Sequence, residues 1–141
     1  MKESCWDDCV LSNSSIKISP DLGKAKSLIE TSKGRIEYLR ENKINEKNAN
    51  YIFESYYTSI LEILHAITFS SGYNIKNHIC IGFYLRDIIK REDLFRIFDD
   101  LRYKRNSLTY YGKRMDFNTA KMAIIHSKDL IKKLDVFIIN I

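Results

Sequence analysis

Apolar residues recur at three- and four-residue steps through several long stretches of this chain. The broadest such face is Ala49, Ile52, Phe53, Tyr56, Ile60, Ile63, Leu64 and Ile67. Steps of that size return to one side of an α-helix, and a stripe this wide demands cover from several neighbours. A single proline and five glycines in 141 residues leave few places to break a helix. The spacing therefore predicts an all-α, up-and-down bundle of four long helices and one shorter one.

Residues 1–18 are polar and mixed and read as an irregular arm held down by Trp6, Val10 and Leu11. Residues 19–141 form the single bundle domain. Ser19-Pro20-Asp21 has the composition of a helix start, with Ser as N-cap, Pro in the first turn and an acid beside the positive helix end. Leu22, Ala25, Ile29, Ser32, Ile36 and Leu39 then carry the first helix to about residue 41, weakened at Gly34. Asn45 is placed to cap the second helix, which ends before Gly72. Tyr73 to Asn77 is a turn, and a third helix covers roughly 77–90. A fourth covers about 92–112, and a fifth, about 119–139, starts from Asp116 or Asn118. No strand alternation of convincing length is present. The tail Val136 to Ile141 is apolar almost all round, which suggests a dimer face or a partner surface.

Composition narrows function. With 45% hydrophobic residues the chain has enough apolar side chains for a core without metals or disulfides. The net charge of +5 suits a polyanionic partner such as nucleic acid, although no basic run stands out, and a surplus of solvated lysines gives the same total. Cys5 and Cys9, four apart with no further ligand at suitable spacing, do not make a zinc site. An odd cysteine count without a secretory signal points to a reducing cytoplasm. The apolar runs are too short to span a membrane, and no motif for a metal or an organic cofactor is present.

One residue breaks the apolar pattern. On the fourth helix the stripe reads Leu94, Phe98, Leu101, Arg105, Leu108 and Gly112, so a permanent cation occupies a core position. Burying it is costly unless it is paired and hydrogen-bonded. Either a carboxylate meets it, with Glu54, Glu62 and Asp87 as candidates, or the face opens into a groove that receives an anion. Asn106 and Tyr110 are four residues apart and can reach one ligand together. Tyr111, Arg102, Lys104, Lys113 and Arg114 flank them. His78 follows a turn and reads as a helix-start residue; His65 and His126 read as isolated histidines.

Taken in order, Tyr51-Ile52-Phe53-Glu54-Ser55-Tyr56-Tyr57, Ser70-Ser71-Gly72-Tyr73 followed by His78, Asp100-Leu101-Arg102-Tyr103-Lys104-Arg105-Asn106 and Tyr110-Tyr111-Gly112 resemble the HEPN family, especially its small archaeal and bacterial members. The resemblance spans roughly residues 20–138. It implies a helical bundle that dimerises, and either a metal-independent endoribonuclease or a non-catalytic module that binds RNA or a nucleotide. It also implies partnership with a small nucleotidyltransferase in a toxin–antitoxin-like pair. The family's ribonuclease motif is Arg, a polar residue, a short gap and His. Arg105 and Asn106 match its start, but the histidine position falls on Tyr110, and the tyrosine two places beyond falls on Gly112. A tyrosine, with an ordinary pKa of ~10 against ~6.5 for histidine, is a poor proton shuttle at neutral pH. Loss of a general acid or base costs roughly 100- to 10,000-fold in rate. Arg105, Asn106, Tyr110, Tyr111 and Arg102 are thus the expected ligand-binding residues, with binding surviving better than cleavage. The alternatives are an active ribonuclease with Tyr110 in place of histidine, and a purely structural homodimer with no ligand.

Overall fold

A computed structural model describes residues 2–141. Its elements are α1 (Trp6–Leu11), β1 (Ser15–Lys17), α2 (Leu22–Arg40), α3 (Ala49–Ser70), β2 (Tyr73–Ile75), α4 (His78–Phe83), α5 (Glu92–Tyr111) and α6 (Phe117–Ile138). A π-helical turn, Tyr84–Ile88, continues α4. The chain is a mostly helical bundle of the all-α class. None of its helices is long and apolar enough to cross a membrane.

The broad apolar face places α3 at the centre. Phe53, Tyr56, Tyr57, Ile60 and Leu64 are at most 1% exposed, and α2, α5, α6 and β2 all pack on this helix. Burying each such side chain contributes roughly 1.5–3 kcal/mol, which is why the helix with the widest stripe becomes the axis of the core.

The helix starts differ in detail from the local sequence signals. Asp21, not Ser19, caps α2: its Oδ1 accepts from the Lys24 amide at 3.0 Å. The chain before it is held along the end of α3, with the Asp21 amide donating to the Phe69 carbonyl and the Ile18 amide to the Gly72 carbonyl. Gly72 is required there twice over. Its φ is +89°, and a Cβ would lie 2.9 Å from the Ile18 carbonyl oxygen. Asn45 does not cap α3 directly. Its side chain accepts from the Lys47 and Asn48 amides and shapes the turn that precedes the helix. Asp116 caps α6 through the Thr119 amide at 2.8 Å. Gly34 leaves α2 uninterrupted.

The N-terminal segment is more ordered than its composition suggests. Residues 6–11 form a helix, and β1 pairs antiparallel with β2 in the register Ser15–Ile75, Ile16–Asn74, Lys17–Tyr73. The expected turn at Tyr73 to Asn77 therefore begins as a strand. Trp6 anchors the segment, packing edge-on against Tyr73 and Tyr84 at 5.3 Å each, whereas Val10 and Leu11 are exposed. Cys9 and Cys80 form a disulfide and are both fully buried, with Cys5 free. A bond of this kind persists in oxidising compartments and is rare in a reducing cytosol, so the odd cysteine count loses its force as a pointer to the cytoplasm.

The apolar tail is divided. Ile138 and Ile141 pack against Ala25, Ile29 and Ala66, while Val136 and Ile139 face solvent.

Candidate anion-binding cleft

Near its C-terminal end α5 crosses the middle of α3 and the start of α4, and the candidate site is built where the three meet. Leu94, Phe98 and Leu101 bury the earlier turns of α5, and the Phe98 ring stacks on Tyr57 with centroids 6.0 Å apart and planes within 10°. The next residue on that stripe is Arg105. It is half-buried, and its guanidinium carbon stands 5.7 Å from the Tyr57 ring centroid and 6.0 Å from that of Tyr110. Each such cation–aromatic contact is worth ~0.5–1 kcal/mol at an exposed site.

No carboxylate among the described residues pairs with Arg105. Of the candidate partners, Glu62 is taken by Arg35 at 3.0 Å and Asp87 by Arg86 at 2.8 Å; Glu54 is in no ion pair. Of the two alternatives posed by the sequence, the carboxylate partner is not found among the described residues. Arg102 differs from Arg105, because Asp99 holds it at 2.8 Å and offsets part of its charge. Lys104 likewise pairs with Asp100.

A cleft of about 430 Å³ opens beside these residues, within the range of small-ligand sites. Arg102, Asn106 and Tyr110 line it from α5. His78 and Ile79 line it from α4, and Lys76 and Asn77 from the segment before. Lys2 and Glu3 close it from the N-terminal segment. The structure thus brings Arg102, Asn106 and Tyr110 into one concavity, with Arg105 adjoining through the Tyr110 ring. Tyr111 is exposed and does not line the cleft. A groove of about 530 Å³ between α2 and the end of α6 is larger, but it is lined by Ile29, Ile138, Ile139 and Ile141 with mixed charges and contains no motif residue.

Two functional candidates were not legible as such in the sequence. His78 is the first residue of α4, which Asn77 caps by accepting from the Cys80 amide at 2.9 Å. Its Nδ1 lies 3.1 Å from the Tyr57 hydroxyl. Burial first, then the neighbouring Arg105, His65 and Arg102, pushes the imidazole down to about 4, so it is neutral at pH 7. Burial raises the Tyr57 phenol, which stays protonated. A protonated phenol beside a neutral imidazole is best satisfied with the hydroxyl donating to Nδ1, which puts the ring proton on Nε2. An imidazole is therefore present in the cleft, though not at the position where the family motif would carry it. The only sequence signal for it was the order of elements that carried the HEPN resemblance. His65 is largely buried on α3 with its Nδ1 unpartnered, and His126 is exposed on α6; neither lines the cleft.

Beyond the cleft, the end of α5 is pinned to the start of α3. The Asn50 side chain donates to the Met115 carbonyl and accepts from its amide, each at 3.0 Å. Gly112, at φ +61°, terminates α5, and the Lys113 amide closes the turn onto the Ser107 carbonyl. This loop places the Arg114 guanidinium 5.4 Å from the Tyr51 ring. Tyr51, Tyr103, Tyr110 and Tyr111 are all at least 60% exposed, and Arg114 and Arg105 stand beside the rings of Tyr51 and Tyr110.

Comparison of the chain with protein-family models, curated proteins and solved structures gives no match.

Proposed function

We propose that this chain is a HEPN-like module that binds single-stranded RNA or a nucleotide through the α3–α4–α5 cleft and has little or no catalytic power. The observation that carries the reading is Arg105: a half-buried guanidinium with no carboxylate partner among the described residues, resting on aromatic rings beside a basic cleft. A phosphate is the natural complement of such a group. The exposed tyrosines add support, since bases stack on aromatic side chains without regard to sequence. Asn106 and Tyr110 would orient the ligand. The test is fluorescence anisotropy with a short single-stranded RNA of mixed sequence. Binding should weaken steeply with added salt and drop by about 10- to 100-fold in Arg105→Ala, the worth of one or two charge-assisted contacts. Equal affinity in the two proteins would refute the assignment.

One observation favours a second reading, a weak metal-independent endoribonuclease: the cleft holds an imidazole, His78, beside the arginine. RNA cleavage that persists in EDTA and disappears in Arg105→Ala would establish it. Equal background in both proteins would remove it. Homodimerisation accompanies either reading; Met122, Ile125 and Val136 on α6, and Ile139 just after it, offer exposed apolar surface for a second copy. A nucleotidyltransferase partner rests on the family resemblance alone and is tested by co-purification of the two proteins.

A further inference from the structure

His78 has more built around it than a helix-start residue needs. The Tyr57 ring is fixed by its stack on Phe98, and its hydroxyl meets Nδ1, so one edge of the imidazole is already occupied. The residue itself is held by the Asn77 cap and by the disulfide at Cys80, two positions further along the chain. Since His78 also lines the cleft, Nε2 is the edge left for a ligand.

The charges that face it are unequal. From α5 come Arg105 and the Asp99-paired Arg102, with Tyr110 beside them. The segment before α4 adds Lys76, the N-terminal segment adds Lys2 against Glu3, and α3 contributes the protonated phenol of Tyr57 and, further off, His65. In the empty cleft this surplus of positive charge disfavours an imidazolium, as does burial. A bound phosphate reverses the sign of the local field at that edge of the ring. The cost of protonation then falls, and the imidazolium gains a charge-assisted hydrogen bond to the ligand.

We propose that His78 is an anion-binding residue of this cleft, and that phosphate binding is coupled to uptake of one proton from solvent by its imidazole. In the loaded state Nε2–H donates to a ligand oxygen. Nδ1–H donates to the Tyr57 hydroxyl, whose own hydrogen turns away. The inference rests on the phosphate-binding reading above and adds to it a residue and a pH dependence.

The experiment is isothermal titration calorimetry of the full chain in buffers of different ionisation enthalpy near pH 6. A short single-stranded RNA and inorganic phosphate serve as separate probes. Wild-type protein is expected to take up a proton on binding, and its affinity to rise by up to about tenfold per pH unit as pH falls toward the free-state value. His78→Gln should bind the RNA without uptake and lose the pH dependence, and with inorganic phosphate, which itself titrates in this range, should differ from wild type by the same loss of uptake. The imidazole resonances of His78, followed by NMR in the native protein with and without phosphate, give the same answer without any mutation: the titration midpoint should move upward on binding. Binding with no proton uptake, or uptake that persists in His78→Gln, overturns the proposal and leaves the phosphate-binding reading standing. No binding of either probe by wild-type protein at low salt removes both.

Discussion

The two seams that flank α3 place an arginine against the same helix and treat it in opposite ways. On the α2 side Arg35 reaches Glu62 at 3.0 Å, and close by the Ser32 hydroxyl donates to the Ser59 carbonyl, so the seam is closed by groups within the chain. On the α5 side Arg105 meets aromatic rings instead of a carboxylate. One seam neutralises its cation within the chain. The other keeps a surplus of positive charge beside a cleft, as a site for an anion would. A shared scaffold helix thus carries one paired and one unpaired arginine, set by what lies opposite each cation.

The comparison can be strained at several points. The strongest blow is to the α4 wall of the cleft. Replacing Cys9 and Cys80 by Ser removes a link across a sequence separation of 71 residues, which should cost about 4 kcal/mol in unfolding experiments. Hydrogen exchange should then show α1 and α4 opening before α2. Next comes the pair of arginine partners. Arg105→Ala should lower stability by only about 1–2 kcal/mol, because two cation–aromatic contacts and no ion pair are lost. Destabilisation of about 3–5 kcal/mol, the signature of a broken buried ion pair, would erase the distinction between the seams. Glu62→Ala should leave RNA affinity untouched and cost about 1 kcal/mol at most, since Arg35 is partly exposed.

Acid gives a subtler handle. The folded-state pKa of His78 lies below that of the unfolded chain, so the unfolded state binds more protons and stability should fall as pH drops from ~6.5 toward 4. The same slope should be shallower in His78→Gln, with the remainder belonging in part to His65, whose pKa burial also lowers. The smallest effect is expected from Asp99→Asn, which releases Arg102 toward the cleft; RNA affinity at low salt should rise severalfold, and the gain should vanish as salt is added.

Much of the scaffold was legible in the order of the residues. The four long helices follow from three–four spacing, and the lone cation on the α5 stripe stood out as a residue with no carboxylate at hand. What escaped was short or non-local. Six residues of α1 span less than two turns, and the three-residue β1 and β2 are too brief to show alternation. The choice of Asp21 over Ser19 as cap was made by the distant Phe69 carbonyl, which fixes the chain one residue short of the helix. The union of Cys9 with Cys80 needs the β1–β2 ribbon and the Trp6 anchor to bring the thiols together. His78 read as a helix-start residue because its neighbours in sequence are a turn and a cap. Only the packing of the helices shows that it lines one cleft with Arg102, Asn106 and Tyr110.

The buried bond between Cys9 and Cys80 also has a mechanical consequence. It closes a covalent ring that contains β1, α2, α3 and β2, whereas α5 and α6 lie outside it. A force applied near the two ends of the chain would travel through that link and bypass the enclosed helices. Residues beyond the ring would unravel first, stripping α5 and its arginine from a still-coiled remainder. The enclosed length would extend only after a reductant had cut the sulfur bridge.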